Sequence, residues 1–267
     1  MITKELSNDT LSEQPADAAS VILIRDYSAN HSTDSELQTL LLCRSNSRTV
    51  MNNAWVFPGG KVEPADLQNA EATRKLLLPN SASVLLAEPN MQNTAACALF
   101  NAACRETLEE TSVSIQPDEL QTWSRWITPN EPSMMKKRFD ARFFIAAMPQ
   151  GQQATHDGIE ATDSQWGTPK QLLVNYTQGQ LVLAPPQIMS LIALTDFSSV
   201  AQCLHAASLI TPHHIRPEVL KTDNTRILTY PGDPEHSEPK KEMPGPTRLI
   251  WKETHFEPAD GFGSYIE

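Results

Sequence analysis

Short apolar runs separated by polar loops occupy much of the chain and predict a series of strands. Residues 1–17 precede them, are polar, and are expected to form a flexible tail. The predicted strands cover residues 18–25, 37–44, 54–57, 120–127, 139–147, 160–166, 226–230 and 248–252. Pro58-Gly59-Gly60 directly follows the third of them and stops it. An ordered core is therefore expected from residue 18 onwards.

Other segments have the spacing and the end signals of helices. Thr94 is a suitable N-cap for a long helix over 95–111, which is rich in Ala, Leu and Glu and contains no Gly or Pro. Leucine spacing and proline-opened starts predict further helices at 64–78 and 169–179 and a pair of helices over 185–209. His213-His214 follows the last of them in a Thr-Pro segment and is expected to be plain surface loop, with a role as ligands as the alternative.

The charge balance narrows the range of partners. The 267 residues include 21 Lys and Arg against 32 Asp and Glu, which gives a formal charge of −11 at pH 7. Nucleic acid and anionic membranes would repel such a chain, so neither is an expected partner. A phosphate-bearing ligand must instead be met locally, by a metal ion or a small basic cluster. The oligomeric state is left open by the sequence.

Cysteine usage and the apolar runs bear on the compartment. The four cysteines show no C-x-x-C pair and are predicted to be reduced, buried thiols. The N-terminal residues lack the apolar stretch of a signal peptide, and the apolar runs are far shorter than the about 20 residues that span a bilayer. The last residues do not match a peroxisomal address of the S-K-L type. A cytoplasmic location is the resulting expectation.

The long helix carries the residues of greatest chemical interest. Glu106, Glu109 and Glu110 stand at i, i+3 and i+4, so helical periodicity places three carboxylates on one face. Such carboxylates repel one another unless a cation neutralises them, and oxygen ligands suit Mg²⁺ or Mn²⁺. Arg105 stands four residues before Glu109 and is placed to orient its carboxylate. The alternative is an ordinary solvated acidic helix face.

The segment Arg105-Glu106-Thr107-Leu108-Glu109-Glu110 resembles the second half of the Nudix hydrolase signature, G-x5-E-x7-R-E-U-x-E-E-x-G-U, where U is a bulky apolar residue. The first half is present upstream, with Gly60 as its opening glycine and Asp66 in place of its first Glu. Between Asp66 and Arg105 lie 38 residues where the signature has seven, an insertion of 38 − 7 = 31 residues. Ser112 replaces the closing Gly and would be mildly strained in a left-handed conformation.

A split signature is typical of one branch of the family, the coenzyme A and acyl-coenzyme A diphosphatases of the peroxisomal type. The chain resembles this branch from about residue 18 to residue 197, in segments such as Trp126-Ile127-Thr128-Pro129 and Arg138-Phe139-Asp140-Ala141-Arg142. The resemblance implies an α/β fold, an α/β/α sandwich around a mixed sheet. It also implies a Nudix domain over 18–197, with an insertion at 67–97, and a helical C-terminal extension over 198–267 packed on the same domain.

The resemblance also implies roles for individual residues. Glu106 and Glu110 would bind the catalytic cation, Glu109 would bind or bridge a second one, and the Gly59 carbonyl could complete the shell. Arg105 would hold a carboxylate in place. Glu160 occupies a position where relatives place a further metal ligand or general base; its alternative is an ordinary carboxylate. The implied enzyme hydrolyses a small-molecule nucleoside diphosphate derivative with Mg²⁺ or Mn²⁺.

Local cations are needed for the phosphates of such a substrate. The candidates are Arg44, Arg48, Lys137 and Arg138, and a 3′-phosphate is a group that they could bind. The alternative for the basic run around residue 137 is a solvated loop. A dinucleotide or an ADP-sugar remains an alternative substrate. A binding protein that kept the fold and lost turnover is less favoured, because Arg105 and the three glutamates of the signature are all retained.

Overall fold

The computed structural model describes residues 11–28, 35–45, 53–131, 137–221 and 225–267. Its strands are β1 Ala16–Tyr27, β2 Glu36–Arg44, β3 Ala54–Val56, β4 Gly59–Lys61, β5 Gln121–Ile127, β6 Phe139–Ala147, β7 Ala161–Gly167, β8 Val182–Leu183, β9 His213–Ile215, β10 Glu218–Lys221, β11 Arg226–Thr229, β12 Arg248–Lys252 and β13 His255–Pro258. Its α-helices are α1 Pro64–Gln68, α2 Ala70–Leu76, α3 Ala82–Leu85, α4 Asn93–Thr111, α5 Pro169–Thr177, α6 Pro185–Leu194, α7 Val200–Leu209 and α8 Gly263–Ile266, with a 3₁₀ turn at Pro117–Glu119.

A mixed sheet forms the centre of the molecule. Within the described ranges it has nine strands, with β8-β3-β2-β1-β6-β5-β9 as its main order, β4 paired to β1 and β7 paired to β2. The pairs β1 with β6, β3 with β8 and β5 with β9 are parallel, and the other pairs are antiparallel. The pairing of β4 with β1 brings the loop after Phe57 back across the sheet, beside the helix that carries the signature.

The two faces of the sheet bury two separate apolar cores because side chains alternate along each strand. Along β1, Val21 and Leu23 pack with α4, while Ile22 and Ile24 pack with the core of α5 and α6. Helices thus cover both faces of the sheet, and the predicted α/β/α sandwich is confirmed. No helix in the described residues combines the length and apolar content required to cross a bilayer.

Most of the predicted elements are present, with corrections at several ends. The helix predicted over 64–78 is divided at Asn69 into α1 and α2. The long helix starts at Asn93 with Gln92 as its N-cap, so the assignment of Thr94 as the cap is wrong. Ser112 ends that helix in the left-handed conformation, with φ of 59°, which is the position where the signature has glycine. The four cysteines are free thiols, as predicted, but only Cys43, Cys97 and Cys203 are buried, whereas Cys104 is half-buried.

The C-terminal extension contains more sheet than its prediction as a helical segment implied. After α7, the strands β10 to β13 form a four-stranded antiparallel sheet in the described residues, of which only β11 and β12 were predicted. Leu228, Leu249 and Phe256 of this sheet belong to the same core cluster as α5 and α6. The loop predicted at His213-His214 is wrong, because these residues form β9 and extend the central sheet, although His214 is exposed as expected of a surface residue.

The predicted insertion lies against the signature helix. Its residues form α2, α3 and the first turn of α4. Ala70, Leu77, Ala82 and Leu86 are buried in the same apolar cluster as the first half of α4. The insertion is therefore packed on the helix whose second half carries the glutamates.

Candidate active site

The glycine loop rests directly on two of the predicted carboxylates. The Gly59 N–H donates a hydrogen bond of 2.8 Å to Oε2 of Glu110. A Cβ placed on Gly60 would lie 2.2 Å from Oε1 of Glu106, far inside a normal contact. Any side chain at Gly60 would therefore displace the Glu106 carboxylate. The close approach explains why the loop needs glycine at this point.

Asp66 and Arg105 connect the two halves of the divided signature. Arg105 Nε and Nη2 lie 3.0 Å from the two carboxylate oxygens of Asp66, a bidentate pair. Asp66 is only 3% exposed and also accepts the Glu63 N–H at 2.8 Å. Arg105 donates further to the carbonyl of Lys61 at 2.9 Å. Asp66 thus forms this pair despite being one methylene shorter than the signature's Glu.

The remaining nitrogen of the same guanidinium holds two glutamates. Arg105 Nη1 lies 2.9 Å from Glu106 Oε1 and 2.9 Å from Glu109 Oε2, so the predicted i to i+4 contact is present. The side chain of Glu106 is 12% exposed, whereas that of Glu109 is 58% exposed. Glu106 therefore lies under the glycine loop, and Glu109 lies towards solvent.

Burial shifts the titration of the two inner glutamates. Burial raises the pKa of Glu110 to about 7; the Gly59 N–H and Arg44 lower it, while Glu106 and Glu160 raise it. Burial also raises the pKa of Glu106, with Arg105 opposing the shift and Glu109 and Glu160 adding to it. The same electrostatic interactions show that Arg44 and Glu160 lie close to the cluster. The site thus carries more negative charge than its own arginines neutralise.

Asp157 holds the loop that presents Glu160. Its carboxylate accepts the backbone N–H groups of Ile159, Glu160 and Ala161 at 2.9 to 3.1 Å. Although burial raises the pKa of Asp157, these donors outweigh it and the pKa is lowered. The carbonyl of Glu160 accepts the Ser45 N–H at 2.8 Å, which places this loop beside the end of β2 and Arg44.

The donor chemistry of the cluster fits a hard divalent cation. Glu106 and Glu110 supply carboxylate oxygens that are largely buried and carry raised pKa values, and the Gly59 N–H holds that of Glu110. No group of three or more His, Cys, Asp or Glu in the described part of the chain is already gathered as a cation site. Instead, the guanidinium of Arg105 binds Glu106 and Glu109 in this structure. The fit therefore rests on the donor set and its excess charge.

The four basic residues predicted to bind substrate phosphates differ in their positions. Arg44 ends β2 near Glu110, and Lys137 is exposed. Arg48 lies outside the described residues. Arg138 is only 9% exposed and donates to the backbone carbonyls of Thr128 and Glu13 at 3.1 and 3.0 Å. Its assignment as a substrate ligand is therefore corrected to a structural role, because its guanidinium is committed to main-chain acceptors.

Three contributors to the site escaped the sequence pattern. Asp157 orients the Glu160 loop, and an Asp-Gly pair is a turn signal that could have indicated it. Asn101 on α4 donates to the carbonyl of Asp66, and Thr73 on α2 donates to Asn101. Neither has a signal in one sequence, because their roles depend on how the insertion folds back.

Comparisons with known proteins show which proteins the chain is similar to. A family model described as the NUDT19 Nudix domain matches residues 95–194. The chain is 24% identical to a Xenopus laevis protein named acyl-coenzyme A diphosphatase NUDT19, over 74% of this chain and 71% of that protein. It is 29% identical to the Gallus gallus protein of the same name, over 30% of this chain and 22% of that one. The crystal structure of a Nudix hydrolase from Alicyclobacillus acidocaldarius superposes with a TM-score of 0.57 at 19% identity, covering 75% of this chain and 98% of that one.

Proposed function

Since the chain belongs to the Nudix hydrolase family, we propose that it is a divalent-cation-dependent diphosphatase acting on coenzyme A or acyl-coenzyme A. The observation that carries the reaction class is the group of carboxylates held under a glycine loop with too few arginines to neutralise it. The name of the Xenopus relative supports the substrate class. The expected products are 3′,5′-ADP and 4′-phosphopantetheine or its acyl form.

Glu106 and Glu110 are the residues proposed to hold the cation, with Glu109 and the Gly59 carbonyl as further ligands. Mg²⁺ and Mn²⁺ both suit these oxygen donors. When bound, such an ion supplies charge neutralisation at the diphosphate and acidification of water. The carboxylates of Glu106 and Glu110 lie beneath the glycine loop, and the carboxylate of Glu109 lies towards solvent.

The other residues of the site are proposed to orient the carboxylates or to accept a proton. Arg105 fixes the carboxylates of Glu106 and Glu109 by charge-assisted hydrogen bonds. Glu160 is the proposed acceptor of the proton from the attacking water, or else a further cation ligand. Asp157 keeps the loop of Glu160 in place through three backbone N–H groups. Hydrolysis then joins the water oxygen to one phosphorus and releases the other phosphate with the diphosphate bridging oxygen.

Arg44 is the proposed reader of the substrate's 3′-phosphate, with Lys137 as a second candidate and Arg48 outside the described residues. The proximity of Arg44 to Glu110 places a fixed positive charge at the edge of the site. A charge-assisted contact contributes roughly 1.5 to 3 kcal/mol, which is about 10- to 150-fold in kcat/KM. Dephospho-coenzyme A should therefore be cleaved less efficiently than coenzyme A, and Arg44→Ala should reduce the difference.

The experiment is product analysis by mass spectrometry on coenzyme A, an acyl-coenzyme A, dephospho-coenzyme A, NADH and ADP-ribose, with Mg²⁺ or Mn²⁺ present. Release of 3′,5′-ADP from the coenzyme A compounds with the highest kcat/KM supports the proposal. Preferred cleavage of NADH or ADP-ribose would replace the substrate class with a dinucleotide or ADP-sugar. Absence of hydrolysis on the whole panel would contradict the proposed substrate classes.

A further inference from the structure

The insertion reaches the candidate active site through one amide side chain. Asn101 lies on α4 four residues before Arg105, so the two side chains project from the same stripe of the helix. Asn101 Nδ2 donates a hydrogen bond of 2.7 Å to the backbone carbonyl of Asp66. The hydroxyl of Thr73, on insertion helix α2, donates to Asn101 Oδ1. Thr73 is only 2% exposed, so solvent competes little for this contact.

Asp66 is consequently held at two points by one stripe of α4. Asn101 binds its carbonyl and Arg105 binds its carboxylate. Arg105 in turn fixes Glu106 and Glu109. A continuous series of hydrogen bonds therefore runs from the insertion to the glutamates, through Thr73, Asn101, Asp66 and Arg105.

Apolar packing alone could anchor the insertion. Ala70, Leu77, Ala82 and Leu86 are all buried against α4, and such contacts are non-directional. The amide of Asn101 adds direction, because its donor and its acceptor bind two different elements, α1 and α2. The contact determines where the Asp66 backbone lies relative to Arg105.

We propose that Asn101, supported by Thr73, is a positioning residue that couples the insertion to the geometry of Arg105 and its glutamates. The effect on turnover rests on the proposed diphosphatase function; the effect on the Arg105 guanidinium does not. The inserted segment thereby becomes part of the support of the active site, in addition to its packing on α4.

Four variants separate this role from plain stability. Asn101→Ala removes the amide, and Thr73→Val removes the hydroxyl while keeping the shape of the side chain. Thr73→Ser keeps the hydroxyl and should restore the wild-type behaviour. Arg74→Ala is the matched control, because it removes the exposed ion pair to Glu71 on the same helix and contacts no site residue in the described structure.

Two measurements are made on each full-length variant. The first is hydrogen exchange of the Arg105 Nε–H by NMR, with the signal assigned through its loss in Arg105→Lys. The second is kcat and KM on the substrate that the panel selects. Asn101→Ala and Thr73→Val should speed Nε–H exchange about 10-fold and lower kcat about 10-fold, with KM changed less than about 2-fold, because small misplacements of catalytic groups mainly affect the chemical step.

Unchanged Nε–H exchange in both Asn101→Ala and Thr73→Val would overturn the inference, as would a Thr73→Ser variant that behaves like Thr73→Val. Faster exchange with unchanged kcat would also overturn it, because the guanidinium would then be loosened without consequence for turnover. A wild-type protein that hydrolyses nothing on the panel would refute the proposed function instead, while the exchange measurement would still decide whether Asn101 positions Arg105.

Discussion

Two clusters of charged side chains lie on the α4 side of the sheet, and they differ in the ratio of carboxylates to arginines. The anchoring cluster joins the insertion to β5 and β6 and consists of Asp17, Glu88, Arg125, Asp140 and Arg142. The site cluster joins the glycine loop to α4 and consists of Arg44, Asp66, Arg105, Glu106, Glu109, Glu110 and Glu160. The first has three carboxylates for two arginines, and the second has five for two.

Every carboxylate of the anchoring cluster has an arginine partner. Glu88 lies 2.9 Å from Arg125 and 2.8 Å from Arg142, and Asp140 contacts both of the same arginines. In the site cluster, the described residues provide no ion pair for Glu110 or Glu160. Glu110 is buried and Glu160 is exposed. Paired charges of the first kind hold elements together, whereas a buried charge without an ion pair, such as that of Glu110, is a cost that a functional site can use.

The largest expected effect comes from breaking the anchoring cluster. Glu88→Gln leaves Arg125 and Arg142 with one fewer carboxylate in a buried setting, so we expect the free energy of unfolding to fall by about 3–5 kcal/mol. Urea denaturation measures it. The kcat of the folded fraction should stay near the wild-type value, since the cluster touches none of the site glutamates. A loss below about 1 kcal/mol would remove the distinction between the two clusters.

The matching substitution in the site cluster should have the opposite outcome. Glu110→Gln keeps the shape of the side chain and removes its charge, so kcat should fall by about 10² or more. The unfolding free energy should stay unchanged or rise, because a buried charge with no ion pair is lost. Glu106→Gln should lower kcat in the same way. Near-wild-type turnover in both variants would favour an ordinary acidic helix face.

A smaller effect concerns pH in the cation-free protein. The pKa of Glu110 is raised to about 7 from an ordinary 4.5, so the native state binds the proton more tightly than the unfolded state. The contribution of protonated Glu110 to the free energy of unfolding is therefore fully present below pH 4.5. It is lost as the pH rises through about 7, by on the order of 1–3 kcal/mol. The free energy of unfolding is measured by denaturation in chelator at pH 5 and pH 8. It should fall more between these pH values in the wild type than in Glu110→Gln. Equal pH dependence in the two proteins would contradict it.

The sequence predicted the site cluster better than its surroundings, for a physical reason. Helical periodicity alone places Glu106, Glu109 and Glu110 together, because those neighbours are local. The burial of Arg138 depends on a distant segment, because its guanidinium donates to the carbonyl of Glu13, 125 residues away in the chain. The pairing of β9 with β5 brings His214 beside Arg125, 89 residues away in the chain. No periodic pattern records such contacts, so the anchoring cluster was not predicted.

Removal of divalent cations tests the central claim most directly, namely that the excess carboxylates form a cation-dependent hydrolytic centre. Hydrolysis of the substrate panel is followed in EDTA and then after addition of Mg²⁺ or Mn²⁺ in excess of the chelator. We expect activity to vanish in EDTA and to return at millimolar free cation in the wild type, with little recovery in Glu110→Gln. Full activity of the wild-type protein in EDTA would contradict the account.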